Sequence, residues 1–369
     1  MSGINKLFSP WHLGGLVLPN RLVRSATWEG MADAHGIPGT RLGDLWADLA
    51  YGGVGLIVGG YMHVLPEGQG LPGQTGIFDD QHVEPLAKLV ERVHQAGGLI
   101  AAQLAHAGRH THANWIGRQP LGPSGGYNQA LKEEIREMDS DYIKKAIQAF
   151  GQGARRAKEA GFDAVQLHAA HGYLINQFLS PAFNQRQDEY GGSLENRARF
   201  CVEAYQAVRA EVGREYPVFI KMNSDDGVPR GFTVDQAVKV AQELANKGMN
   251  AIEVSGGVAG GGKAHRNGPG RVVGGPEEEG YFLDNALVIK EKVKVPVISV
   301  GGWRSVGRIT EALNRLDAIA MSRPLIKQPD LPALWRAGDE SPASCVSCGK
   351  CLATGQQGGI YCAKGHEIP

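Results

Sequence analysis

Residues 165–200 read VQLHAAHGYLINQFLSPAFNQRQDEYGGSLENRARF, and the opening of this stretch decides the architecture. Ala164, Val165, Gln166 and Leu167 form a β-rich, largely apolar run that reads as a buried strand. His168, His171 and Tyr173 follow where the strand gives way to a turn. In a barrel of parallel strands that is the end at which active sites are built. Two imidazoles and a phenol hold a carbonyl oxygen and deliver a proton beside it. A metal trio is a poorer reading, because no carboxylate or thiol accompanies them. A hydrolase triad is poorer still, because no nucleophile elbow is present. The bland alternative is a set of satisfied structural rings, and three such rings at one strand end argue against it.

Working outward, further β-rich runs alternate with helical patterns. Leu22–Ala26, Val54–Gly59, Leu99–Leu104, Ala164–His168, Val218–Met222, Ala251–Ser255, Val297–Val300 and Ala318–Met321 read as core strands. Amphipathic segments such as VEPLAKLVERVHQAGG (83–98) and DYIKKAIQAFGQGARRAKEAG (141–161) lie between them. Continuous strands alternating with helices predict a parallel sheet covered on both faces, and eight units predict a closed (β/α)₈ barrel, an α/β fold. The alternative, an open doubly wound sheet, lacks a GxGxxG after its first strand. Two insertions, 106–140 and 256–285, fall on the ligand face as rims or lids. The barrel is expected over 1–335 and a cysteine-rich extension over 336–369. Downstream of the signature, Ser193 with Glu195 and Asn196 reads as a helix entry rather than as chemistry.

Composition narrows the function classes. The formal net charge is zero and no basic block occurs, which gives no reason to expect nucleic acid or an anionic membrane. No apolar run reaches the roughly 18 residues of a membrane span, and the start carries no secretory pattern, so a cytoplasmic location is expected. Of five cysteines, Cys201 is alone and Cys345, Cys348, Cys351 and Cys362 crowd the end. In a cytosolic chain this pattern points to a metal or cluster rather than to disulfides.

Polar groups at other strand ends complete the candidate site. Gly301 and Gly302 after the seventh strand, with Ser322 and Arg323 after the eighth, read as the barrel phosphate site; the bland reading is an ordinary turn and a surface ion pair. Thr27 follows strand one, Gln103 closes strand three and Lys221 lies in strand five. The glutamine offers donor and acceptor to a heterocycle edge, and the lysine stabilises negative charge on a reduced ring. The bland reading is that they line a polar barrel mouth.

The signature segment closely resembles that of the old yellow enzyme family of flavin-dependent ene-reductases. LPNRLVRSAT (18–27), QLAHAGR (103–109) and the pairs Gly301-Gly302 and Ser322-Arg323 support it, over roughly residues 5–335. The resemblance implies a barrel holding FMN, reduced by NAD(P)H, that reduces enones. It implies Tyr173 as proton donor and His168 and His171 as holders of the substrate oxygen. It sets Ala26, Thr27, Gly59, Gln103, His168 and Lys221 against the flavin and Gly301, Gly302, Ser322 and Arg323 against its phosphate. Lys221 stands where many members have arginine and lacks the fork. Trp28 stands where many have threonine or cysteine near flavin O4, and an indole cannot accept a hydrogen bond there.

The tail, SCVSCGKCLATGQQGGIYCAK, spaces its cysteines C-x₂-C-x₂-C-x₁₀-C. It resembles the [4Fe-4S] segment of longer relatives such as trimethylamine dehydrogenase and dienoyl-CoA reductase, with a shorter last spacing. Those relatives carry further nucleotide-binding domains, so a cluster here is expected to have no electron partner in the sequence beyond FMN. A [4Fe-4S] cluster, zinc and free thiols stay open, as does a homo-oligomer. Three function classes remain: the ene-reductase, an amine or dienoyl-thioester oxidoreductase with a partner flavoprotein, and a non-redox barrel such as a phosphosugar aldolase. The non-redox barrel would be flavin-free, and a purely structural or binding barrel would lack flavin reduction under NAD(P)H.

Overall fold

The structure is a computed structural model that describes residues 3–258 and 270–364. Eight parallel strands close into a barrel. In chain order they are β1 (Leu22–Arg24), β2 (Leu56–His63), β3 (Ile100–Ala105), β4 (Ala164–Ala169), β5 (Val218–Asn223), β6 (Ile252–Ser255), β7 (Val297–Val300) and β8 (Ala318–Met321). Strand β8 pairs with β1 through Ala320↔Val23 and closes the cylinder. The expected (β/α)₈ barrel is therefore the fold, and the open sheet is excluded.

The strands form here because both their faces are buried. Outward side chains such as Leu22, Ile57, Val165 and Ile220 pack under the helices in one continuous core. Inward side chains form a second, smaller cluster of Val23, Val58, Ala101, Ala164, Phe219, Ala251, Ile298 and Ala318. Small alanines around one large phenylalanine let side chains fill the cylinder, so the interior is packed rather than hollow. An antiparallel ribbon, Trp11–Leu13 with Leu16–Leu18, contributes Trp11, Leu13 and Leu18 to that same inner cluster. It plugs the cylinder, and nothing in its short alternation distinguished it from a loop.

The helices follow ordinary rules. The helix Ser140–Glu159 starts at Asp139, whose carboxylate accepts from the Tyr142 amide at 2.8 Å, and buries Ile143, Ala146, Phe150, Ala154 and Ala157 at spacings of three and four. The helix Leu194–Val212 is capped by Ser193, whose hydroxyl accepts from the Asn196 amide at 3.2 Å. The expected helix entry is thus what these residues make.

Of the two insertions, 106–140 carries a small sheet of Leu121–Gly122, Gly126–Asn128 and Glu133–Glu137. Part of the other, 259–269, lies outside the described residues. Residues 337–364 run back across the strand ends. Among the described residues no helix is long and apolar enough to cross a membrane.

Candidate active site

Register places the chemistry. Lys221 stands opposite His168 of β4 on one side and Glu253 of β6 on the other. Gln103 of β3 stands opposite Gln166 of β4. In parallel strands, opposed residues share a face. These residues therefore form a polar layer inside the barrel, above the apolar layer of Ala101, Ala164, Phe219 and Ala251.

A cavity of about 280 Å³ opens over that layer. Ala26, Thr27, Gln103, His168, His171, Tyr173, Lys221, Gly302, Ser322 and Arg323 all line it, so ten of the residues singled out from sequence meet at one place. Gly59 and Gly301 do not line it. Gly59 faces outward against Trp46, where an added Cβ would lie 3.0 Å from the indole. Gly301 spends its carbonyl on the amides of Gly280 at 2.7 Å and Tyr281 at 3.2 Å.

The three rings sit close together. Tyr173 lies 4.8 Å from His168, and His168 5.4 Å from His171, centroid to centroid. The His171 backbone has φ 62°, a left-handed conformation that costs a non-glycine residue energy. Surrounding bonds hold it there. The His171 amide donates to Asn223 Oδ1 at 3.1 Å, and its Nε2 meets Ser255 Oγ at 2.7 Å. Asn223 and Asn176 both donate to Asp226, at 2.8 and 2.9 Å. Asn176, Asn223, Asp226 and Ser255 were not singled out in the sequence, because they sit on a helix, two strand ends and a loop whose contacts only the fold brings together.

Electrostatics match the geometry. Burial and the nearby Lys221 charge push His168 and His171 well below the usual histidine range, so both are neutral at neutral pH. Burial raises Tyr173, which keeps its proton, and its hydroxyl donates to Tyr61 at 3.0 Å. Tyr61 was missed; it belongs to the end of β2, which runs on to His63, beyond the expected Gly59.

The wall opposite the strand ends comes from the tail: Ser347, Cys351 and Leu352. Backbone bonds fasten it. Arg323 donates to the Ser347 carbonyl at 2.8 Å, Arg304 to that of Cys345 at 3.1 Å, and the Ile360 amide to the Glu29 carbonyl at 2.8 Å. Gly355 lies flat on Trp28, and a Cβ there would sit 2.6 Å from the indole ring. Cys345, Cys348, Cys351 and Cys362 line a second, small cavity with Arg323, Lys327 and Lys364. Cys351 and Arg323 belong to both cavities. Among the described residues, no three His, Cys, Asp or Glu side chains are grouped to hold a metal ion.

The residues present fit a flavin mononucleotide. Apolar walls and a floor of amide, hydroxyl and ammonium groups suit a flat heterocycle. Two buried polar atoms on cavity residues, His168 Nδ1 and Trp28 Nε1, have no hydrogen-bond partner among the described residues. At Gly302, φ is 77° and an added Cβ would meet Val273 at 2.5 Å, so glycine alone leaves the backbone open beside Ser322 and Arg323. The expected four-cysteine metal site is not assembled among the described residues, although the four thiols border one cavity. Its donors are thiols, its flanking charges are cationic, and Cys345 Sγ accepts the Ser347 amide at 3.4 Å.

A barrel with this strand-end constellation is the frame of a flavin oxidoreductase. The profile of the NADH:flavin oxidoreductase / NADH oxidase family matches residues 6–340, and the chain belongs to that family. It is 35% identical over 353 residues to an NADH oxidase of Thermoanaerobacter brockii, covering 94% of this chain and 53% of that protein. It is 37% identical over 335 residues to an NADPH dehydrogenase of Geobacillus thermodenitrificans, covering 88% and 92%. Among solved structures, a 2-naphthoyl-CoA reductase in complex with 2-naphthoyl-CoA superposes with a TM-score of 0.89 at 28% identity, over 97% of this chain and 56% of that one. The chain thus spans about half the length of two of these relatives.

Proposed function

We propose that the chain is an FMN-dependent NAD(P)H oxidoreductase that reduces the C=C bond of α,β-unsaturated carbonyl compounds. The observation that carries this is the meeting of His168, His171 and Tyr173 over a floor of Gln103 and Lys221 in one cavity. FMN, when bound, supplies hydride transfer from the nicotinamide to the alkene β-carbon. Ala26, Thr27, Gln103 and Lys221 bind its ring, and Gly302, Ser322 and Arg323 its phosphate. Gly59 and Gly301 act from behind the wall, by packing and by fixing the turn. His168 and His171, both neutral, bind the substrate's carbonyl oxygen and orient the alkene. Tyr173 gives its phenolic proton to the α-carbon, and the Tyr61 hydroxyl holds the phenol in place. The tail excludes water from the far side.

The four cysteines are read as ligands of a [4Fe-4S] cluster, with zinc as the alternative. Three thiols at short spacing and one distant suit a cube better than two separated pairs do. A second functional reading, reduction of a dienoyl or aromatic thioester or oxidation of an amine with a partner flavoprotein, is favoured by Cys351 belonging to both cavities. The extension 336–369 would then be a functional module on the barrel of 1–335.

Mass spectrometry of the released cofactor tests the core of this reading. FMN is expected, and FAD or no flavin overturns it. Anaerobic reduction by NADH and NADPH, followed by reoxidation with enones or dienoyl thioesters, together with a separate trial of tertiary amines as reductants of the oxidised flavin, decides between the two activities. No reoxidation by enones, together with reoxidation by the thioesters or flavin reduction by the amines, would replace the first with the second. Protein prepared without oxygen should carry about four iron and four sulfide per chain. One zinc and no iron would give the tail a structural role.

A further inference from the structure

The floor of the cavity hangs from a residue that does not reach the cavity. Glu253, on β6, is fully buried and does not line it. Its Oε1 accepts from Ser25 Oγ at 2.6 Å and lies 3.2 Å from Lys221 Nζ. Its Oε2 accepts from Gln166 Nε2 at 2.7 Å. Lys221 also donates to Ser25 Oγ at 2.6 Å, and Gln103 Nε2 donates to Gln166 Oε1 at 2.6 Å. Ser25, Lys221 and Gln103, the three floor groups that do line the cavity, are all anchored directly or at one remove on this carboxylate.

The direction of those bonds follows from chemistry. An ionised carboxylate only accepts. Gln166 must therefore turn its NH₂ to Glu253 and its carbonyl to Gln103. Gln103 must in turn spend one N–H on Gln166, which leaves its carbonyl and its second N–H for a ligand edge. Ser25 spends its hydrogen on Glu253 and keeps only a lone pair for other partners. A buried charge persists when it is paired and hydrogen-bonded, and Glu253 is both. Its negative charge also opposes that of Lys221 at the cavity floor.

We propose that Glu253 is a positioning residue of the cavity floor: it orients Lys221, Ser25 and, through Gln166, Gln103 toward the ligand, and it offsets the Lys221 charge so that the bound flavin is harder to reduce. This rests on the FMN reading above. A charge a few ångströms away in a partly polar interior shifts a binding constant by about tenfold to a hundredfold.

The test uses the purified holoenzyme and reads sulfite affinity and midpoint potential, since a more positive surrounding favours both sulfite uptake and reduction. Glu253→Gln should bind sulfite about tenfold or more tighter, with a raised potential. Glu253→Asp, which keeps the charge, should stay near the wild type. Lys221→Met should bind sulfite more weakly. Should Glu253→Gln not fold, the double variant Lys221→Met, Glu253→Gln carries the test, because it removes a neutral pair; it should bind sulfite more tightly than Lys221→Met alone. Yellow, folded Glu253→Gln with unchanged affinity and potential overturns the inference and leaves the FMN reading standing. Equal shifts in Glu253→Gln and Glu253→Asp also overturn it, since shape and not charge would then matter. Wild-type protein that takes up no FMN sinks both.

Discussion

The cavity has two walls built on different principles. The strand-end wall presents His168, Lys221 and Gln103 from consecutive or nearby strands, with positions set by β-register and orientations by buried side-chain bonds. The tail wall presents Ser347, Cys351 and Leu352 from a segment whose regular structure among the described residues is two short helical turns, and main-chain carbonyls and amides hold it to arginines and to the Trp28 loop. A network of buried side chains is specific and fails when one member changes. A strap fastened by its backbone tolerates side-chain change and fails where the backbones come too close. The first wall suits chemistry that needs fixed angles, and the second suits closing the site.

Substitutions should separate the two, beginning with the largest effect. Tyr173→Phe changes only the strand-end side. It should slow alkene reduction by about 10²–10⁴-fold while reduction by NAD(P)H stays near normal, because only the alkene-reducing half-reaction needs the phenolic proton. Stopped-flow measurement of each half-reaction checks this, and an equal loss in both would remove Tyr173 as the donor.

Cys351→Ser changes only the tail side. It should lower iron to well under one cluster per chain while FMN stays bound, as read by iron, sulfide and flavin assays. Loss of flavin together with iron would mean that the two cavities do not fail independently.

Acid should attack the barrel side first. Burial pushes His63 and His106, at the ends of β2 and β3, down to about 4. An unfolded histidine takes its proton near 6.5, so below that value protons favour the unfolded chain. Stability contributed above pH 6.5 should therefore fall as pH drops from about 6.5 toward 4, by on the order of 3 kcal/mol for each group at most. Denaturant titrations at pH 7 and pH 4.5 measure it; equal midpoints would show these imidazoles to be charged in the fold.

Gly355→Ala should give the smallest effect, about 1–3 kcal/mol of overpacking against Trp28. It should appear as earlier proteolytic cleavage within 337–364 with barrel unfolding little changed. Unaltered cleavage would mean that the tail docks elsewhere.

Much of the strand-end wall was legible beforehand. Strand periodicity and the alternation of strands with helices determined the barrel, and ring side chains at a strand end marked His168, His171 and Tyr173. Both are local patterns, repeated every two or every few residues, so one sequence suffices to read them. Gly301 and Gly302 look alike in sequence, yet of the two Gly302 lines the cavity, while the Gly301 carbonyl accepts from Gly280 and Tyr281. Gly59 likewise read as a ligand contact and packs on Trp46.

Tertiary structure alone decided that Glu253 lies beneath Lys221, that Tyr61 meets Tyr173, and that the tail folds over the mouth with Cys351 in both cavities. Glu253 and Ser25 are 228 positions apart, and Tyr173 and Tyr61 are 112 apart. No periodicity links such pairs. Closure of the barrel brings them together, because the register of one strand on the next sets which distant side chains share a face.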